Sequence, residues 1–179
     1  MLFGLLVFAA IVVAVFALAT TYNNLVSATE RAARIWNSLD ALLRQRHDEI
    51  PQLIELLERH LPGERAAFER LLTARDAVFA ARQTRAAEAL GGAETALRSE
   101  LATIIARAAR EPALAANAAF GLIRQRNTTL DAEIGEQRAG YNAAVGGYNT
   151  AISRPPGNVV ALLSGFRPLR GLDADAAGR

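Results

Sequence analysis

The chain has 179 residues, a formal net charge of +2 and 51% apolar residues, which fits one domain with an appendage rather than a polyelectrolyte built for nucleic acid. It contains no cysteine, which excludes disulfide scaffolds, cysteine-based zinc and iron–sulfur sites, cysteine nucleophiles and a lipidated cysteine. The charge is uneven: residues 1–29 hold no Lys, Arg, Asp, Glu or His, so all 20 basic and 18 acidic residues follow from Glu30, and every basic residue is arginine.

Leu2 to Ala19 is an unbroken apolar run. As a helix it spans about 27 Å, close to the hydrocarbon thickness of a bilayer. A buried core helix is one alternative, but no polar face is visible. A cleavable signal peptide is the other, because Ala17-Leu18-Ala19 resembles a cleavage site. No basic residue precedes the run, so an uncleaved transmembrane anchor over residues 1–21 is the preferred reading. Arg31 and Arg34 follow it closely, which favours a cytoplasmic soluble part, with the periplasm as the alternative.

Beyond Tyr22 the composition is rich in Ala, Leu, Arg, Glu and Gln, all good helix formers. Pro and Gly cluster at Leu61-Pro62-Gly63, Gly91-Gly92, Glu111-Pro112 and Pro155-Pro156-Gly157. These points bound four predicted helices, about 22–60, 63–88, 93–110 and 113–153. The first carries apolar residues from Leu25 through Leu39, Leu43 and Ile50 to Leu57, at spacings of three and four. Pro51 falls inside this stripe and is expected to kink the helix without ending it. Gly91-Gly92 is read as a weak helix start or a true break. The predicted fold is all-α: an anchor, then an antiparallel up-down four-helix bundle over 22–153 with long first and fourth helices, then a tail over 154–179. A coiled-coil dimer is the alternative.

The chain resembles the LemA family, bacterial proteins with an N-terminal transmembrane helix and a helical soluble domain. The resemblance rests on several short motifs in order. Tyr22-Asn23-Asn24-Leu25-Val26 is similar to the family's first motif. Trp36, Asp40, Arg46, Asp48, Ile50, Pro51 and Leu53 form the next, and Ala74-Arg75 closes the second helix. Glu111-Pro112, Leu114 and Asn117 precede the fourth helix. Arg138, Tyr141-Asn142 and Tyr148-Asn149 lie within it, and Pro156-Gly157-Asn158, Ala161 and Gly165-Phe166 follow. Departures are Gly63-Glu64 for the usual His-Glu, Ala132-Glu133 for Asn and Arg, and Pro155 for an aromatic. The resemblance implies the bacterial inner membrane, crossed once, and membrane-associated organisation more readily than catalysis.

Tyr141 and Tyr148 are seven residues apart and share a helix face, with Asn142 and Asn149 in the adjacent row. The up-down order places Tyr22-Asn23 beside Tyr148-Asn149 at the membrane-proximal end. These groups are read first as satisfying backbone and fixing register, and second as a polar docking surface. Arg46, Arg75 and Arg138 fall on or beside apolar stripes, so each needs a partner if buried. Asp40, Asp48, Asp76 and Asp131 are the candidates; a pocket for a phosphate or carboxylate is the other reading. In the tail, Leu162, Leu163 and Phe166, flanked by Arg154, Arg167 and Arg170, suit contact with anionic lipid. A tail packed back on the bundle is the alternative.

No P-loop, dinucleotide, nucleophile-elbow or zincin motif occurs, and His47 and His60 are too far apart to share a metal. No catalytic residue, cofactor or nucleic-acid partner is expected. The expected partners are membrane lipid and either a second copy or another membrane protein. The expected role is a non-catalytic scaffold, with a ligand-binding regulatory module as the alternative.

Overall fold

The computed structural model describes residues 2–173 and is all-helical, with no strand among the described residues. Helix α1 runs without interruption from Leu2 to Glu58, about 86 Å at 1.5 Å per residue. No break separates the apolar run from the amphipathic part. A 3₁₀ turn at Pro62–Glu64 leads into α2 (Arg65–Gln83), then α3 (Ala87–Ala108). A single turn, α4 (Pro112–Ala115), precedes α5 (Ala118–Ser153), and α6 (Gly157–Ser164) follows.

The two ends of α1 bury differently. Leu2 to Phe16 are exposed to solvent or lipid, Phe3 at 80% and Phe16 at 70%. From Leu25 on, a stripe through Ala32, Leu39, Leu43, Arg46, Ile50, Leu53 and Leu57 is buried, at helical spacing. Among the described residues nothing covers this apolar surface, and the helix is long and apolar enough to cross a membrane.

Contacts between α1 and α5 fix their relation. Trp36 packs on Tyr141 with ring centroids 5.4 Å apart, and Arg46 bonds Asp131. Leu25 is buried with Tyr148 and Ile152. Partner numbers in α5 thus fall as those in α1 rise. The main core unites α1 to α5, with Leu57, Leu71, Ala108 and Leu114 fully enclosed. A second, smaller core forms at the other end from Leu25, Tyr148, Ile152, Val160 and Ala161, with Leu18 and Phe166 against it.

Two helix boundaries differ from the sequence expectation. The break between α2 and α3 falls at Thr84–Ala86, where there is neither Gly nor Pro, and not at Gly91-Gly92. There Ala86 N–H bonds the Ala81 carbonyl and Arg85 N–H the Arg82 carbonyl, with Arg85 at φ 51°. This closing pattern of a helix normally uses glycine. The pair Gly91-Gly92 lies inside α3. A Cβ on Gly91 would sit 1.8 Å from the carbonyl oxygen of Leu172, so the glycine admits the returning tail. The predicted fourth helix is also divided: α4 closes at Ala116 and Asn117 caps α5, its Oδ1 accepting from Ala119 N–H at 2.9 Å and Phe120 N–H at 3.2 Å.

Candidate functional site

One motif position, Arg46, anchors a charged network in the interior. Arg46 is 2% exposed and lies on the apolar stripe of α1. Its guanidinium donates to Glu94 of α3 and, at 3.0 Å, to Asp131 of α5. Arg98 Nε donates to the same Asp131 oxygen at 2.8 Å. This network ties three helices at one level. It leaves Arg46 Nε and Glu94 Oε2 without a partner among the described residues. Burial pushes the Glu94 carboxyl above its ordinary value, against the attraction of Arg46. Burial also acts to raise Asp131, but hydrogen bonds from Arg98 and Arg46 outweigh it and leave that carboxyl low. Glu94 is absent from the candidates read in the sequence. It lies four residues after Leu90 and three before Leu97, on the buried face of α3.

Pro51 and Arg75 belong together. Proline lacks an N–H, so the carbonyl four residues back, that of His47, loses its helical partner. Arg75 Nε donates to that carbonyl at 3.2 Å. Asp40 receives Arg82 Nε and Arg44 Nη2, both at 2.8 Å, and the Arg82 bond first of all holds its carboxyl below the ordinary value. Among the described residues, the exposed Asp48 and Asp76 pair with just their chain neighbours His47 and Arg75.

The Tyr-Asn pairs of α5 bind the tail. Tyr148 Oη donates to the Arg167 carbonyl at 3.0 Å and Tyr141 Oη to the Arg170 carbonyl at 3.4 Å. Asn149 donates to the Leu169 carbonyl at 2.8 Å and accepts from Leu169 N–H at 2.9 Å. Asn142 accepts from Leu172 N–H at 2.8 Å and donates to Asp173 at 2.5 Å. Seven helical residues rise about 10.5 Å, and three extended residues span about 10 Å. The motif repeat therefore matches the step from Arg167 to Arg170, and from Leu169 to Leu172. Arg138 extends the series by pairing with Asp173 at 2.6 Å. The backbone groups satisfied by these side chains are those of the tail.

At the end of the bundle next to the apolar run, Phe166 sits between Tyr22, at 5.7 Å, and Tyr148, at 6.5 Å. Tyr22 and Tyr148 are thus at one level, bridged by a tail residue, while Asn23 is exposed. The six tail residues proposed for lipid divide. Leu162 and Leu163 are exposed at 85% and 76%, and Arg154 and Arg167 are also exposed. Phe166 is half-buried against protein, and Arg170 pairs with Glu88 of α3 at 2.7 Å. Among the described residues, no group of three or more His, Asp or Glu is placed to hold a metal ion.

The family model for LemA matches residues 35–179. The chain belongs to the LemA family. The LemA match starts at Ile35, so the apolar run and the Tyr22-Asn23 motif precede it, while Arg46, Pro51, Arg75 and both Tyr-Asn pairs of α5 lie within it. A search of curated proteins found no match.

Proposed function

We propose that this LemA-family chain is a single-pass, membrane-anchored helical scaffold of the bacterial inner membrane, acting by protein and lipid contact and not by catalysis. Its soluble part is an antiparallel up-down four-helix bundle, with α1 and α5 as the long pair and α2 and α3 as the short one. The falling partner numbers between α1 and α5 support this arrangement. Arg31 and Arg34 after the span favour the cytoplasmic side.

One observation carries the reading. Helix α6 packs its Val160 and Ala161 against Leu25 and Tyr148, with Leu18 of the apolar run in the same cluster. A Cβ on Gly157 would meet the Ala151 carbonyl at 2.0 Å, so this glycine lets α6 lie tightly on α5. The opposite face of α6, with Val159, Leu162 and Leu163, is exposed, as is the apolar surface of α1. A short apolar helix beside the end of a span, flanked by exposed Arg154 and Arg167, suits the lipid interface with anionic headgroups. The tail is thereby a second membrane contact, clamped to the rod by the Tyr-Asn pairs.

Cross-linking with mass spectrometry in native membranes tests the scaffold role. The expected result is a set of links from the rod, α1 to α5, to a second copy or to another membrane protein. Links confined to single copies would contradict it.

A further inference from the structure

Two cavities adjoin on the side of α1 that faces the α2–α3 turn. One, of roughly 250 Å³, is walled by Trp36, Tyr141 and Leu169 together with Asn37 and Arg85. The other, of roughly 200 Å³, shares Trp36, Asn37 and Arg85 and adds Arg44, Arg82 and Asp40. The first wall is largely aromatic and aliphatic, and the second is cationic. Three arginines there face one aspartate. Arg44 and Arg82 both bond Asp40, whereas Arg85 has no ion-pair partner among the described residues.

Arg85 is also the one non-glycine residue with positive φ among the described residues. It occupies the helix-closing position where glycine is at ease and a side chain costs conformational energy. Nothing in the turn itself requires arginine: the bonds from Arg85 N–H and Ala86 N–H are made by backbone. Strain kept at a position whose side chain lines a cavity is characteristic of ligand clamps.

We propose that this double cavity binds a small organic anion, a carboxylate on a flat apolar body. Arg85 takes the carboxylate, and Trp36 and Tyr141 take the body. Leu169, held by both hydrogen bonds of Asn149, forms part of the wall, so an occupant also touches the docked tail. The site stands apart from the scaffold reading and does not depend on it.

Trp36 is the sole tryptophan, so its fluorescence reports the site directly. The full chain in detergent micelles is titrated with phenylacetate and, separately, with inorganic phosphate. The expected result is a saturable change with phenylacetate and much weaker binding of phosphate, which lacks the apolar body. Arg85→Gly is expected to weaken phenylacetate about tenfold, the scale of one charge-assisted bond. The same variant is expected to melt at a higher temperature, because glycine relieves the positive φ. That combination separates loss of a ligand contact from loss of fold. No saturable change with phenylacetate, equal binding of phosphate, or unchanged affinity in Arg85→Gly would overturn the proposal.

Discussion

Arg75 supplies the hydrogen bond that Pro51 removes. The ring of Pro51 orphans the His47 carbonyl inside α1, and Arg75 Nε, from α2, donates to it at 3.2 Å. Two positions that look unrelated in the sequence thus form one interaction between helices. Arg75→Ala is expected to cost about 1–2 kcal/mol, since a charged donor is lost from a partly buried acceptor. In a Pro51→Ala background the helix regains its own N–H, and the same substitution is expected to cost about 1 kcal/mol less. A double-mutant cycle in detergent, with unfolding followed by circular dichroism, measures the coupling; additive effects would count against it.

Asn149 makes two hydrogen bonds to one tail residue, so Asn149→Ala leaves both the N–H and the carbonyl of Leu169 unpaired. Amide exchange is expected to rise across 165–173 while the middle of α5 stays protected, with a local loss of about 1–2 kcal/mol. Tyr148→Phe removes one bond, to the Arg167 carbonyl, and is expected to give a smaller rise. Hydrogen exchange read by mass spectrometry distinguishes the two.

The adjacent glycines of α3 are expected to behave oppositely. Alanine at Gly91 collides with the Leu172 carbonyl and should displace the tail. Alanine at Gly92 meets nothing within 4 Å and should stabilise α3 by about 0.5–1 kcal/mol, the helical gain of alanine over glycine. Melting temperatures of the two variants, side by side, check this.

The buried network predicts two pH effects of opposite sign. Asp131 is held below its ordinary value of 3.8, the arginine bonds outweighing burial. Its contribution is therefore complete above that value and is lost as pH falls through the lower folded value. The stability gap between the wild type and Asp131→Asn should close on acidification below 3.8. Glu94 is raised above its ordinary 4.5 by burial. Its contribution is present below 4.5 and is lost as pH rises through the raised folded value. Glu94→Gln should therefore gain on the wild type as pH increases across that window. Unfolding curves at stepped pH measure both slopes.

Much of the fold is legible in the sequence, because the apolar residues from Leu25 to Leu57 repeat at helical spacing and strand signals are scarce. The exposed run from Leu2 to Phe16 is legible from its lack of charge. The α2–α3 boundary is not, because Arg85 takes the conformation expected of glycine while Gly91 serves tail packing. The seven-residue spacing of Tyr141 and Tyr148 reveals a shared face but not its partners. Their partners lie 29 and 19 residues further on, and the turns on either side of α6 bring them back. Glu94 escapes notice for a simpler reason: a carboxylate on an Ala-rich helix reads as solvated until Arg46 is placed opposite.

The placement of α6 in the lipid interface is tested most directly by spin labels in proteoliposomes. The chain has no native cysteine, so Leu162→Cys, Leu163→Cys and Leu122→Cys each give a single site. Leu122 is 51% exposed on α5, far along the chain from the α6 end, and serves as the reference. Labels at 162 and 163 are expected to be relaxed strongly by oxygen and weakly by a water-soluble nickel chelate, and the label at 122 the reverse. Labels at 162 and 163 that respond like the one at 122 would contradict the membrane-contacting tail.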